Sequence, residues 1–206
     1  YPGFRAEAEF HRRGLKLIAG IDEAGRGALA GPVVAAAVIL NRQRRSRWLQ
    51  AVNDSKMLSP LHREELYLEI TAKALCYGIG IVSHQYIDHH GIVPATRLAM
   101  KQAVMELSPT PQALLIDYLS LPEIPLPQRG IVDGDAVCIS IACASILAKV
   151  VRDRIMTDLD SRFPRYSLGR HKGYGTAGHL ECLSRLGPCD IHRVSFGPVR
   201  NSRSLL

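Results

Sequence analysis

An α/β fold, a sheet of strands covered by helices, is what this chain predicts, on three observations. Short apolar runs alternate along the chain with longer segments of helical periodicity. The run VVAAAVIL at 33–40 has no alternating polarity, as expected of a strand buried on both faces. At 206 residues with 47% hydrophobic content, the chain is long enough to bury one full core.

Taken in order, residues 15–22 read as a first strand and 32–40 as a second. Ser59 and Pro60 open a helix over 61–75, the serine as cap and the proline in the first turn, where its missing N–H costs nothing. Residues 77–82 form a third strand. Residues 94–107 form a helix with Leu98, Ala99, Val104 and Leu107 on its apolar side. ALLID at 113–117 is a fourth strand, and Pro122, Pro125 and Pro127 mark the loop after it. A short strand at 130–132 leads to the longest helix, 140–159. Beyond Phe163 the chain turns Gly-, His- and Arg-rich, with one short helix near 177–186.

Composition excludes several classes. No apolar run approaches the roughly 18 residues that a membrane-spanning helix requires, so no membrane partner is expected. The five cysteines (76, 138, 143, 182 and 189) contain no CxxC pair, which argues against a zinc site or a disulfide framework. They read as reduced thiols of a cytoplasmic protein. The net charge of +7 is unevenly placed: residues 162–206 hold eight Lys/Arg against two acids, and the remainder is nearly neutral. A basic tail on a neutral body points to a polyanion partner. The basic cluster at 42–47 reads as a solvated loop.

Chemistry concentrates at Ile18–Gly27. An apolar run ends there in Asp22 and Glu23, and a turn with Gly25, Arg26 and Gly27 follows. Carboxylate oxygens are hard ligands suited to Mg²⁺ or Mn²⁺. The glycines let a ligand approach the backbone, and Arg26 offers a planar fork for phosphate. The plainer reading is an acid pair that caps a following helix. Asp117 also ends an apolar strand, and open α/β sheets place their sites beyond the carboxyl ends of strands. Asp22, Glu23 and Asp117 therefore converge if the two strands are neighbours, with Asp133 or Asp135 as further members. Acids so gathered repel one another unless cations neutralise them. Phosphodiester cleavage assisted by two metal ions is the chemistry that such a group suits.

These residues, together with others along the chain, resemble the ribonuclease HII family, the prokaryotic type 2 ribonucleases H. The resemblance is carried by IDEAGRG at 21–27, NDSKML at 53–58, LID at 115–117, ASILAKV at 144–150 with Arg152-Asp153, HKGYGT at 171–176 and SFGPV at 195–199. It implies a ribonuclease H-like mixed sheet flanked by helices, as a catalytic domain over 1–160. Residues 161–206 would be a basic, helical extension that completes the substrate cleft within one structural unit. Carried over by position, the metal-binding acids fall on Asp22, Glu23, Asp117 and Asp135, the last chosen over Asp133 because it precedes Ser145 by ten residues. Gly25, Arg26 and Gly27 would sense a ribose 2′-OH through their backbone, and Tyr174 would contact the same hydroxyl and pack on the next deoxyribose. A 2′-OH is what tells RNA from DNA. Ser55, Lys56, His171 and Lys172 would touch the phosphate backbone. Asp153, one helical turn after Lys149, either supports the metal site or pairs with Lys149 or Arg152.

The resemblance further implies a monomer acting on RNA/DNA hybrids and on duplex DNA with embedded ribonucleotides. Two Mg²⁺ or Mn²⁺ ions would assist a cut on the 5′ side of the ribonucleotide. The chain departs from the pattern at Tyr118, where family members commonly carry glycine. Type 3 relatives carry Gly-Thr-Gly in the turn, so Arg26 favours type 2. Two rivals stand beside this reading. One is a DNA-directed nuclease or recombinase on the same scaffold; the other is a hybrid-binding protein without turnover.

Overall fold

The computed structural model describes residues 1–41 and 47–202. The basic cluster at 42–47 lies outside the described residues, except for the backbone of Arg47, which opens a short 3₁₀ turn. Among the described residues, five strands form one mixed sheet in the order β3-β2-β1-β4-β5. They are β1 (Ile18–Ala24), β2 (Val33–Ile39), β3 (Cys76–Val82), β4 (Ala113–Asp117) and β5 (Gln128–Ile131). The first three pair antiparallel, and β4 and β5 add parallel to β1 and to each other.

Helices α1 (Arg5–Arg12), α2 (Pro60–Lys73), α3 (His84–His90) and α4 (Ile92–Met105) belong to the first half of the chain. The second half contributes α5 (Gly134–Val137), α6 (Ile139–Arg162), α7 (Leu168–His171), α8 (Ala177–Leu186) and α9 (Gly197–Ser202). Ser59, Ser83 and Thr176 each accept an N–H of the following helix, so α2, α3 and α8 start where local capping chemistry allows.

Two apolar layers hold the sheet. On one face Ala99, Met100, Ala103 and Val104 of α4 pack on Ile21, Val33, Ala35, Ala37 and Ile116. On the other, Ala142, Cys143, Ile146 and Leu147 of α6, with Leu66 and Ile70 of α2, pack on Val34, Ala36 and Val38. β2 is buried along its whole length, which explains its unbroken apolar run. The exposed edge at β3 is blunted. Its free N–H groups at Ile79 and Ile81 donate to Glu106 (3.3 Å) and Gln102 (3.1 Å), one helical turn apart.

Three differences from the sequence expectation have physical causes. β1 runs on to Ala24 instead of ending at Asp22, because Asp22 and Glu23 stay in register with Ala36 and Ala35 of β2. The acids therefore lie inside a strand, near its end. α1 had no local signal: its buried Glu7 caps the distant α6, its carboxylate accepting from Ser140 N–H (3.0 Å) and the Cys138 thiol (3.2 Å). α3 breaks from α4 at Gly91, which has φ +85°.

Close approach of α6 to β1 depends on Gly20. A Cβ there would come within 2.2 Å of the Ser140 carbonyl carbon and 2.5 Å of Ile141 N, both backbone atoms that cannot swing aside. Gly20→Ala should therefore cost about 1–3 kcal/mol, lowering the melting temperature by several degrees. Gly178→Ala, whose Cβ would meet nothing within 4 Å, should be neutral or slightly stabilising. Thermal denaturation of the two variants beside the parent tests the packing directly.

Candidate metal centre and nucleic-acid interface

Parallel pairing of β1 with β4 sets Ile21 against Ile116, so the next residues, Asp22 and Asp117, emerge side by side. Glu23 follows on β1. One carboxylate oxygen from each of Asp22, Glu23 and Asp117 lies within 4.8 Å of the others, close enough to share a cation. Around them lies a cleft of about 280 Å³ bounded also by Gly25–Gly27, Lys56, Lys149 and Tyr174.

The electrostatics of this group are strained. Burial, then repulsion from Glu23 and Asp117, raises the Asp22 pKa well above that of an ordinary aspartate. Burial also pushes Glu23 up to about 7; repulsion from Asp117 adds to this, and Arg26 at 3.6 Å opposes it. Asp117 is raised chiefly by burial, although its Oδ1 accepts the Gly134 N–H at 2.7 Å. Glu23 Oε2 is buried and has no hydrogen-bond partner among the described residues. Three hard oxygen donors, one of them orphaned, fit a divalent cation.

Asp135 stands apart from this trio. It is buried and its carboxylate meets the Lys56 ammonium at 3.4 Å. Burial raises its pKa while Lys56 lowers it. For Lys56, burial pulls downward but Asp135 and Asp54 outweigh it, so the ammonium is held charged. Asp133 sets the left-handed turn (φ +51°) ahead of α5. The Ser55 hydroxyl is buried against Ser145 Oγ (2.9 Å), and Ser145 in turn hydrogen-bonds Asp22. Ser55 thus acts on the acid cluster from behind.

Loop 171–176 closes the other side. His171 has both ring nitrogens engaged, with Tyr166 O at 2.8 Å and the Gly173 N–H at 3.2 Å. Lys172 reaches Thr157 Oγ1 at 2.6 Å. Asp153 pairs with Lys149 at 2.7 Å and lies 3.9 Å from Arg63. The Tyr174 ring lies 5.1 Å from the Arg152 guanidinium and 5.5 Å from the Lys149 ammonium.

Two arginines organise the whole mouth, one that the sequence offered as a partner for Asp153 and one that it counted in the basic tail. Arg152 and Arg193 are fully buried. Arg152 donates to the carbonyls of Ala30, Pro32 and Lys172 at 2.9–3.0 Å. Arg193 donates to Arg26, Gly31 and Pro32, all at 3.0 Å. They pin the Gly25–Pro32 turn from behind, and Arg152 ties it to the Tyr174 loop. Gly25, at φ +90°, has no room for a side chain: a Cβ would come within 1.8 Å of Arg152 Nε. At Gly27 a Cβ would meet nothing within 4 Å. Burial, then Arg152, pushes Arg193 down to about 9, so it stays charged at neutral pH. His179 supports the same loop, its Nδ1 lying 2.9 Å from Tyr174 O and its Nε2 3.0 Å from His192 Nε2. The fixed pattern of donors on these side chains shows only once the backbone carbonyls are in place. No local spacing signals it.

Comparison with known proteins agrees with this arrangement. The family model for ribonuclease HII matches residues 19–199. Ribonuclease HII of Dehalococcoides mccartyi is 56% identical over 200 residues, covering 97% of this chain and 95% of that protein. The Chloroflexus aurantiacus protein of the same name is 51% identical, over 96% and 94%. Among solved structures, Archaeoglobus fulgidus RNase HII, in its complex with PCNA, aligns with a TM-score of 0.75 at 28% identity, covering 91% of this chain and 97% of that one.

Raised carboxylate pKa values carry a stability consequence. Between pH 4.5 and about 7, folded Glu23 keeps a proton that an unfolded glutamate has lost. At Glu23 the metal-free fold therefore keeps a proton that the unfolded chain lacks, and this group's contribution to stability falls as pH rises through that window. His192, which burial and His179 hold down to about 4, contributes the opposite slope below about 6.5. The Glu23 contribution by itself should lower the melting temperature of the metal-free protein by a few degrees between pH 5 and 7.5. Glu23→Gln should flatten that decline. Adding Mg²⁺ or Mn²⁺ should raise the melting temperature at pH 7.5 far more than at pH 5.

Proposed function

This chain belongs to the ribonuclease HII family, metal-dependent endoribonucleases acting on RNA in RNA/DNA hybrids, and from that premise we propose that it cuts on the 5′ side of single ribonucleotides embedded in duplex DNA. The observation that carries the reading is the juxtaposition of two features in one cleft. Three convergent carboxylates face a backbone turn and an aromatic ring that are locked to each other through Arg152.

Asp22, Glu23 and Asp117 would hold the divalent ions, Mg²⁺ or Mn²⁺, with Asp135 joining once Lys56 turns toward a phosphate. Held by these residues, the ions would supply the lowered pKa of a water nucleophile and the stabilisation of a 3′-oxygen leaving group, which would leave 5′-phosphate and 3′-hydroxyl ends. Ser145 orients Asp22, and the Gly134 N–H orients Asp117. The turn at Gly25–Gly27 presents backbone polar groups to the ribose 2′-OH. Its open face at Gly27 leaves space for a sugar that any side chain would narrow. Tyr174 offers its hydroxyl to the same group while its ring rests on the next deoxyribose, without demanding a base. Lys56 and Lys172 serve the phosphate backbone. His171, with both nitrogens occupied, holds the loop that carries Tyr174.

The basic tail adds long-range attraction, though less than its charge count indicates, since Arg193 is buried and spent on carbonyls. Ribonucleotide excision and RNA primer removal are the roles that such an activity serves.

The test is a labelled DNA duplex with one ribonucleotide beside an all-DNA duplex, with and without Mg²⁺ or Mn²⁺. One metal-dependent cut 5′ of the ribonucleotide is expected, with the all-DNA duplex intact. Asp22→Asn should reduce turnover by roughly 10³-fold or more while the protein stays folded. Equal cutting of both duplexes would instead favour a DNA-directed nuclease, and binding without cutting would favour a hybrid-binding protein.

A further inference from the structure

Tyr118 is held in a conformation that a bulky side chain rarely adopts. Its φ is +56°, in the left-handed region where non-glycine residues are uncommon and strained. The fold dictates this geometry. Tyr118 N–H donates to Ile131 O at 2.9 Å, keeping β4 against β5, and the Leu119 N–H turns back onto Asp117 O at 2.5 Å. A glycine would take this position without strain.

Burial does not offset that strain, for the residue is 64% exposed. Nor does the ring join any of the apolar clusters among the described residues. The Arg26 guanidinium lies 6.0 Å from the ring centroid, and Arg26 in turn lies 3.6 Å from Glu23. Ring, guanidinium and carboxylate thus form a continuous wall, beginning one residue beyond Asp117. A strained, exposed aromatic in direct sequence with a metal-site acid is placed for something outside the chain.

We propose that Tyr118 is a substrate-binding platform, its ring packing on the sugar of a nucleotide that flanks the scissile phosphate, beside Arg26. The assignment rests on the nuclease reading above and extends it to a residue that the reading does not require. Base faces in a duplex are already stacked on one another, so the ring would rest on a sugar, which adds affinity without adding sequence preference. Arg26 contributes by sandwiching between ring and phosphate, its charge already oriented by Glu23. Tyr118 would thus grip the substrate on the β4 side of the acids, with Tyr174 gripping it on the loop 171–176 side.

Strain and function make opposite predictions for one substitution, which separates a binding role from a structural one. Tyr118→Gly, Tyr118→Ala and Tyr118→Phe are compared with the parent for melting temperature, and for kcat and KM on the duplex with one ribonucleotide. Tyr118→Gly should melt a few degrees higher, because the left-handed strain is gone. Its KM should nevertheless rise roughly fivefold or more, the loss expected of one aromatic contact with the substrate. Tyr118→Ala should share the KM defect, and Tyr118→Phe should keep the parent's KM. If the parent cuts the duplex and Tyr118→Gly cuts it with a KM within twofold of the parent, the platform is refuted. A raised KM together with a lowered melting temperature would make the residue structural and would equally overturn it. A parent that cuts no ribonucleotide-containing duplex would refute the nuclease reading itself, a separate outcome.

Discussion

Parallel pairing between β1 and β4 places Asp22 beside Asp117, and the site follows from that register. A shift of one residue would send one of the two carboxylates to the opposite face of the sheet. The register is secured by apolar packing on both sides: Ile21 and Ile116 point into the α4 layer, while Gly20 lets α6 press its first turn against β1. Fully burying an isoleucine or leucine contributes about 1.5–3 kcal/mol. The sheet carries enough such side chains to hold three mutually repelling acids at the end of two strands. The core thus imposes a local arrangement that is unfavourable until a cation arrives.

Buried charge of the opposite sign answers the acids from behind the turn. Arg152 and Arg193 make six hydrogen bonds, all to backbone carbonyls. Bonds to a charged donor are stronger than neutral ones, and losing either guanidinium would leave carbonyls unpaired in the interior. The turn and the Tyr174 loop therefore behave as one piece. The proposed discrimination of a single hydroxyl would rely on such rigidity, since discrimination fades when the measuring groups can move apart.

Most of the sheet was legible because its strands are buried on both faces and read as unbroken apolar runs. The extent of β1 was not, since two carboxylates inside a strand contradict strand preference and only pairing with Ala35 and Ala36 reveals the continuation. α1 escaped notice because its decisive residue, Glu7, acts on a helix more than 130 positions away. At the site, Asp22, Glu23 and Asp117 were readable as acids at the ends of apolar runs. Asp135 was placed by resemblance, and its pairing with Lys56 could not be read from spacing. The charge count misjudged Arg193, which contributes a buried scaffold and not a surface patch. His171 likewise turned out to be occupied within its own loop.

The central claim is that the carboxylate cluster brings a divalent cation onto the scissile phosphate. Replacing one non-bridging oxygen of that phosphate by sulfur tests it, using each diastereomer of a duplex with a single ribonucleotide. Sulfur is a poor ligand for Mg²⁺ and a better one for the softer Mn²⁺. The account predicts that one diastereomer is cut much more slowly in Mg²⁺ and that Mn²⁺ restores much of the lost rate. Equal slowing in both metals, for both diastereomers, would mean that no cation touches the phosphate and would contradict the account.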